Sequence, residues 1–284
     1  MRTLTTPANL PVPIAPTMSA ADVEALQSAV AALEKISLAK RLAGLLGRQV
    51  GFAGRMIPIK LQEHVSAAAH TALNVALRVA FKSLEGSTGG GGATFHRRLA
   101  MASGAIGGAV GVASLPIELP ISTTIMLRSI ADIARREGED LRHPDAAIAC
   151  LQVFALGGHA EEGNLLEGGY FAIRGLFAKS VSDAARYVAQ RGVADEAAPV
   201  LVRLVGQIAQ RFGVVVSQKS AAQAVPVMGA LAGAVINLAF TEHFETLARG
   251  HFTVRRLERA YGAPAVRAAY DKIAREAGLG AASA

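Results

Sequence analysis

With 284 residues the chain can bury one large core or two smaller ones, and its 51% apolar against 18% charged residues puts it at the apolar edge of globular proteins. Tryptophan is absent and glycine contributes 29 residues, a composition that suits closely packed helices and argues against a β-sandwich built from aromatic and β-branched side chains. A single cysteine, Cys150, excludes an internal disulfide framework, and the net charge of +7, dispersed among acids with no basic block interleaved with aromatics, makes nucleic acid an unlikely partner.

Residues 1–18 are broken by prolines and contain no apolar segment of the secretory type, so the sequence predicts a disordered arm on a protein retained in the cytoplasm. Ser19 suits the N-cap of a helix to about residue 37, with Leu26, Val30 and Leu33 on one face. A second helical region follows over 38–54, then Pro58, then a longer helix over about 60–84 with Leu61, Val65, Leu73, Leu77 and Phe81 facing inward. These segments form a helical arm over 19–85. The run GSTGGGGA at 86–93 reads as a flexible linker, because four consecutive glycines hold no helix and no phosphate-loop Lys-Ser/Thr follows them.

The remaining unit spans 94–277 and opens with an uncharged stretch, LAMASGAIGGAVGVASLPI at 99–117. Gly104/Gly108 and Gly107/Gly111 give it two overlapping G-x-x-x-G spacings, which allow close helix approach in membranes and in tight soluble bundles alike. Few of its residues are large and apolar, and its flanking charges favour no orientation across a bilayer, so an enclosed helix is the preferred reading over reversible insertion or stable spanning. Pro120 suits the first turn of the next helix, which closes at Gly138. Further helices are expected from Pro144 to Gly157, over 164–191 before Gly192, and up to Gly213. Residues 214–225 are ambiguous between strand and helix. A second uncharged stretch runs from Ser220 to Thr241 with Gly229 and Gly233 on one face, amphipathic helices follow, and 278–284 form a disordered tail. The fold class is all-α: a bundle of eight to ten helices with two central Gly/Ala-rich apolar helices.

Glu118 is the leading candidate for a functional group. It closes the first uncharged stretch between Pro116 and Pro120, where a carboxylate can sit near a helix N-terminus, cap it, or work in an apolar cleft. Arg128 and Asp132, four apart, are expected to pair, with a shared site as the alternative. Asn237 is polar within an apolar helix and must find a partner when buried. Glu242, His243, Glu245 and His251 crowd together, but the spacing is not H-E-x-x-H and the two histidines point about 80° apart on a helix, so no metal site is expected. Cys150 reads as a core residue. No cofactor motif is present.

Residues 101–141, 168–189, 211–240 and 243–262 together resemble the EcsC protein family of bacteria, with the likeness covering about 60–275. The resemblance implies a cytoplasmic or membrane-associated protein linked by gene neighbourhood to a transporter, and it carries no catalytic residues over. Two functions are expected from the sequence. One is a non-enzymatic accessory or interaction protein at the inner face of the cell membrane, with a membrane surface, a membrane transporter or an apolar ligand as partner. The other is a hydrolase-type enzyme using Glu118 with Asn237 and His243, which requires those side chains to converge.

Overall fold

The computed structural model describes residues 17–35, 38, 41–42, 44, 59–82, 114–157, 169–192, 198–223 and 229–279, and all regular structure among them is helical. The linker at 86–93, the body of the uncharged stretch at 99–113 and the residues of both extreme termini lie outside that set. Eight helices are described: α1 (Ala20–Glu34), α2 (Ile59–Lys82), α3 (Leu115–Arg136), α4 (Pro144–Leu156), α5 (Tyr170–Arg191), α6 (Pro199–Gln223), α7 (Gly229–Tyr261) and α8 (Ala263–Glu276).

Local chemistry sets most of the boundaries. The Ser19 hydroxyl accepts from the backbone N–H of Asp22 at 3.1 Å and starts α1. Gly192 (φ +69°) and Gly262 (φ +85°) end α5 and α7 in backbone conformations that side-chain-bearing residues avoid. Two expectations fail. First, α3 starts at Leu115, so Pro116 takes the first turn and Pro120 lies inside the helix. The bond that Pro120 cannot donate would have gone to the carbonyl of Pro116, still near the frayed helix start, so little is lost. Second, Gly213 does not stop α6, which runs on through the ambiguous segment to Gln223. Phe212, Val215 and Val216 are fully buried around that glycine, and their packing offsets its helix penalty of about 1 kcal/mol.

The buried side chains form one continuous core that includes α1 and α2 together with the helices after residue 114. At its centre lies α4, in which every residue from Ala146 to Leu156 is buried. Phe154 of α4 meets Phe212 of α6 at 5.1 Å and Phe244 of α7 at 5.2 Å between ring centroids. Arg211 Nε donates to the Ala155 carbonyl at 2.9 Å and satisfies the end of α4, where the helix leaves carbonyls unpaired.

Helices α3 and α7 lie side by side and run in the same direction. Ser129 Oγ donates to Glu245 Oε1 at 2.7 Å, and Arg256 Nε donates to Glu137 Oε2 at 2.9 Å, so equivalent levels are about 115–120 residues apart along both helices. Helix α6 runs antiparallel to α7, with Phe212 against Phe240 and Phe244. The bundle therefore has a defined axis. One end holds the starts of α3 and α7 and the end of α6; the other holds the arginine- and glutamate-rich ends of α3 and α7.

Candidate functional site

At the first of these ends, side chains from three helices meet in the core. Lys219, on the last turns of α6, donates from Nζ to Glu118 Oε1 at 2.6 Å and to Asn237 Oδ1 at 2.8 Å. The same ammonium lies 4.8 Å from the centroid of the Phe240 ring, so its third face meets π-electron density. Gln223, one turn beyond Lys219, donates from Nε2 to the other carboxylate oxygen, Oε2 of Glu118, at 3.3 Å. Glu118 is 4% exposed, and Lys219 and Asn237 are 0% exposed, which encloses the pair completely.

The local sequence explains the arrangement. Because α3 begins at Leu115, Glu118 sits in its first turn, close to the positive end of the helix dipole. Ile117 and Ile121 on either side point outward at 73% and 49% exposure, so Glu118 takes the inward face. Burial pulls the pKa of Lys219 down, while the adjacent Glu118 charge and hydrogen bond pull it back up; the net direction is below the ordinary lysine value. An ion pair this deep stands only because each partner has further hydrogen bonds.

The sequence points to two members of this cluster, Glu118 and Asn237, and leaves two unmarked. Glu118 and Asn237 do meet, each holding an oxygen within 2.8 Å of one ammonium nitrogen. Lys219, which joins them, and Gln223 were not anticipated. The available signal was that Glu118 is the sole charge over 99–127 and Lys219 the sole charge over 212–241. A lone acid and a lone base in two apolar segments of one bundle are natural partners.

The other candidates lie elsewhere. His243 is buried toward the end of α4, where its Nε2 comes within 3.2 Å of the position a Cβ on Gly157 would take, and it packs on Phe244. Six residues separate it from Asn237, about 120° around α7, so it faces away from the cluster. Glu242 pairs with Arg41 at 3.4 Å. Asp132 accepts from Arg135 at 2.9 Å, one helical turn on, while Arg128 is exposed. These two belong to the surface of α3 and not to the Glu118 site. Glu245 bonds Ser129. His251 Nδ1 meets the Tyr170 hydroxyl at 2.9 Å, and Arg174, held by Glu258, donates to the same oxygen at 3.2 Å. With Arg174 donating, the phenol proton goes to Nδ1, so His251 accepts there as a neutral imidazole. Burial first, and then Arg174 and Arg255, hold its pKa well below the usual histidine value. The dense His/Glu segment thus spreads around one helix, and no group of three potential metal ligands occurs among the described residues.

Chemically, the Glu118 cluster is a saturated charge pair. A general acid or base must reach a substrate proton, yet both oxygens of this carboxylate already accept hydrogen bonds inside the core. A cleft of about 280 Å³ does exist, but it lies between the ends of α1, α5 and α8, lined by Glu34, Tyr170, Phe171, Arg267, Tyr270 and Arg275. Its half-buried carboxylate, Glu34, accepts from the Tyr270 hydroxyl at 2.7 Å and the Tyr170 backbone N–H at 3.0 Å.

A family model described as the EcsC protein family matches residues 31–257, from the last turn of α1 to the last turns of α7. No curated protein and no solved structure matches the chain.

Proposed function

The chain belongs to the EcsC protein family, and from that premise we propose that it is a non-enzymatic helical protein that works at a membrane surface, meeting lipid with the apolar end of its bundle. The observation that carries this reading is the axial separation of charge. Over 99–127 and 212–241 the only charged residues are Glu118 and Lys219, and these two neutralise each other in the interior. At the same end Ile117, Ile121 and Val235 are exposed. The opposite end carries the exposed or half-exposed Arg135, Arg142, Arg256 and Arg259 with their carboxylate partners. The end where α3, α6 and α7 carry no charge besides this pair, with its protruding isoleucines, suits the boundary between headgroups and acyl chains, while the arginine-rich end suits water. One described helix, α6, is long and apolar enough to cross a membrane by length and composition. It also packs in the core and carries the enclosed Lys219, which favours a peripheral mode of contact. A transporter or an apolar ligand would meet the protein in this setting.

Flotation of the full chain with phosphatidylglycerol/phosphatidylcholine vesicles tests the proposal. The wild type should float with the vesicles and partly resist a high-salt wash. The I117S/I121S variant removes apolar area without adding charge and should bind at least about tenfold more weakly, since each isoleucine is worth roughly 1.5–3 kcal/mol of burial. A wild type left wholly in the soluble fraction contradicts the reading. The hydrolase reading finds less support, because Glu118 is enclosed and His243 faces away from it.

A further inference from the structure

We infer that the Glu118–Lys219 pair, held by Asn237 and Gln223, is the positioning device that lets the apolar end enter the lipid boundary as a folded unit with zero net charge. This rests on the membrane-surface reading above and specifies how the lipid-facing end is built.

Glu118 lies between the two exposed isoleucines in sequence, so the pair sits within one helical turn of the surface that is to leave water. Moving that surface into lipid removes the remaining high-dielectric medium from one side of the charges. A single net charge there is costly, whereas a neutral pair is tolerated. The pair stays neutral whichever partner holds the proton. It also bridges α3, α6 and α7, three of the described helices that reach this end. Were the helices to spread on entry, the carboxylate and the ammonium would each have to face lipid alone. The bonding pattern therefore favours entry with α3, α6 and α7 still together.

The most selective test is Asn237→Asp. A carboxylate at 237 still accepts from Lys219, which limits the loss of stability in water, but the centre gains one negative charge. Among the described residues, the charged groups at position 237 include Lys219 from α6 and, through it, Glu118 from α3, while α1 meets α7 farther along, near Gly250. Vesicle binding of N237D at about pH 8 should be roughly tenfold or more weaker than wild type, and it should recover toward about pH 5 as the introduced carboxylate takes up a proton. Wild-type binding should show no such recovery. In parallel, K219M should bind weakly, and the neutral double variant E118Q/K219M should return to within about threefold of wild type. Thermal melts without vesicles establish that each variant is folded. N237D binding like wild type at about pH 8 overturns the inference, as does a folded double variant that fails to bind. A wild type that ignores vesicles overturns the underlying reading as well, and so distinguishes the two failures.

Discussion

Lys219 decides the chemistry of the cluster, since it touches Glu118, Asn237 and the Phe240 ring together. Replacing it with methionine leaves a carboxylate unpaired in the core, and we expect Lys219→Met to cost roughly 3–5 kcal/mol of stability. A fall in melting temperature that is mostly reversed in E118Q/K219M is the expected result; a K219M melt close to wild type would show that Glu118 finds other compensation. Cys150 offers a second residue-scale prediction. Burial, with a smaller push from Glu139, raises its thiol pKa to about 12. The native protein should therefore stay unlabelled by Ellman's reagent at about pH 8 and react only on denaturation. The sequence exposed Glu118 and Asn237 because each is polar among apolar neighbours. Lys219 escaped notice because its setting, VVVSQKSAAQ, is ambiguous in periodicity, and lysines so rarely lie in a core that its burial only follows from its partner 101 residues away.

Helix α1 is the element whose attachment is easiest to perturb. Gly250 of α7 admits it closely: a Cβ there would lie 2.8 Å from the Leu33 side chain and 3.2 Å from the Ala29 carbonyl oxygen. Gly250→Val should push α1 outward at a cost of roughly 1–3 kcal/mol, read as lost hydrogen-exchange protection in Ala20–Glu34 with α4 unchanged. The start of α1 is also held by charge. Asp22 accepts from Tyr261 at 2.7 Å and Arg256 at 2.9 Å, which with Ser19 lower its pKa to about 2. A depressed carboxylate contributes stability that is complete above its unfolded value, about 3.9, and is lost as pH falls through the folded value. Protection of α1 should thus decline between about pH 4 and about pH 2 ahead of α4; α1 protection unchanged at about pH 2 would remove this role for Asp22. Helix existence was legible from apolar periodicity, whereas Pro120 and Gly213 misled about limits. Each looked like a boundary by local preference, and tertiary packing of Glu118 on one side and of Phe212, Val215 and Val216 on the other overrode it.

At the scale of the described molecule the main property is polarity along α3, α6 and α7. The all-α class and the family were readable from composition and ordered motifs, because both depend on patterns within short windows. That α3 and α7 run in the same direction, and that the base edging one uncharged stretch neutralises the acid edging the other, depends on how distant segments are brought together. The same polarity makes the central claim measurable. A single environment-sensitive fluorophore can be attached through I117C at the apolar end or through R142C at the charged end, since Cys150 is buried and does not compete for the label. On adding phosphatidylglycerol/phosphatidylcholine vesicles, the probe at 117 should shift to the blue and become quenchable by bromolipids, and the probe at 142 should do neither. Equal response at both positions, or none at 117, would contradict lipid contact through the apolar end.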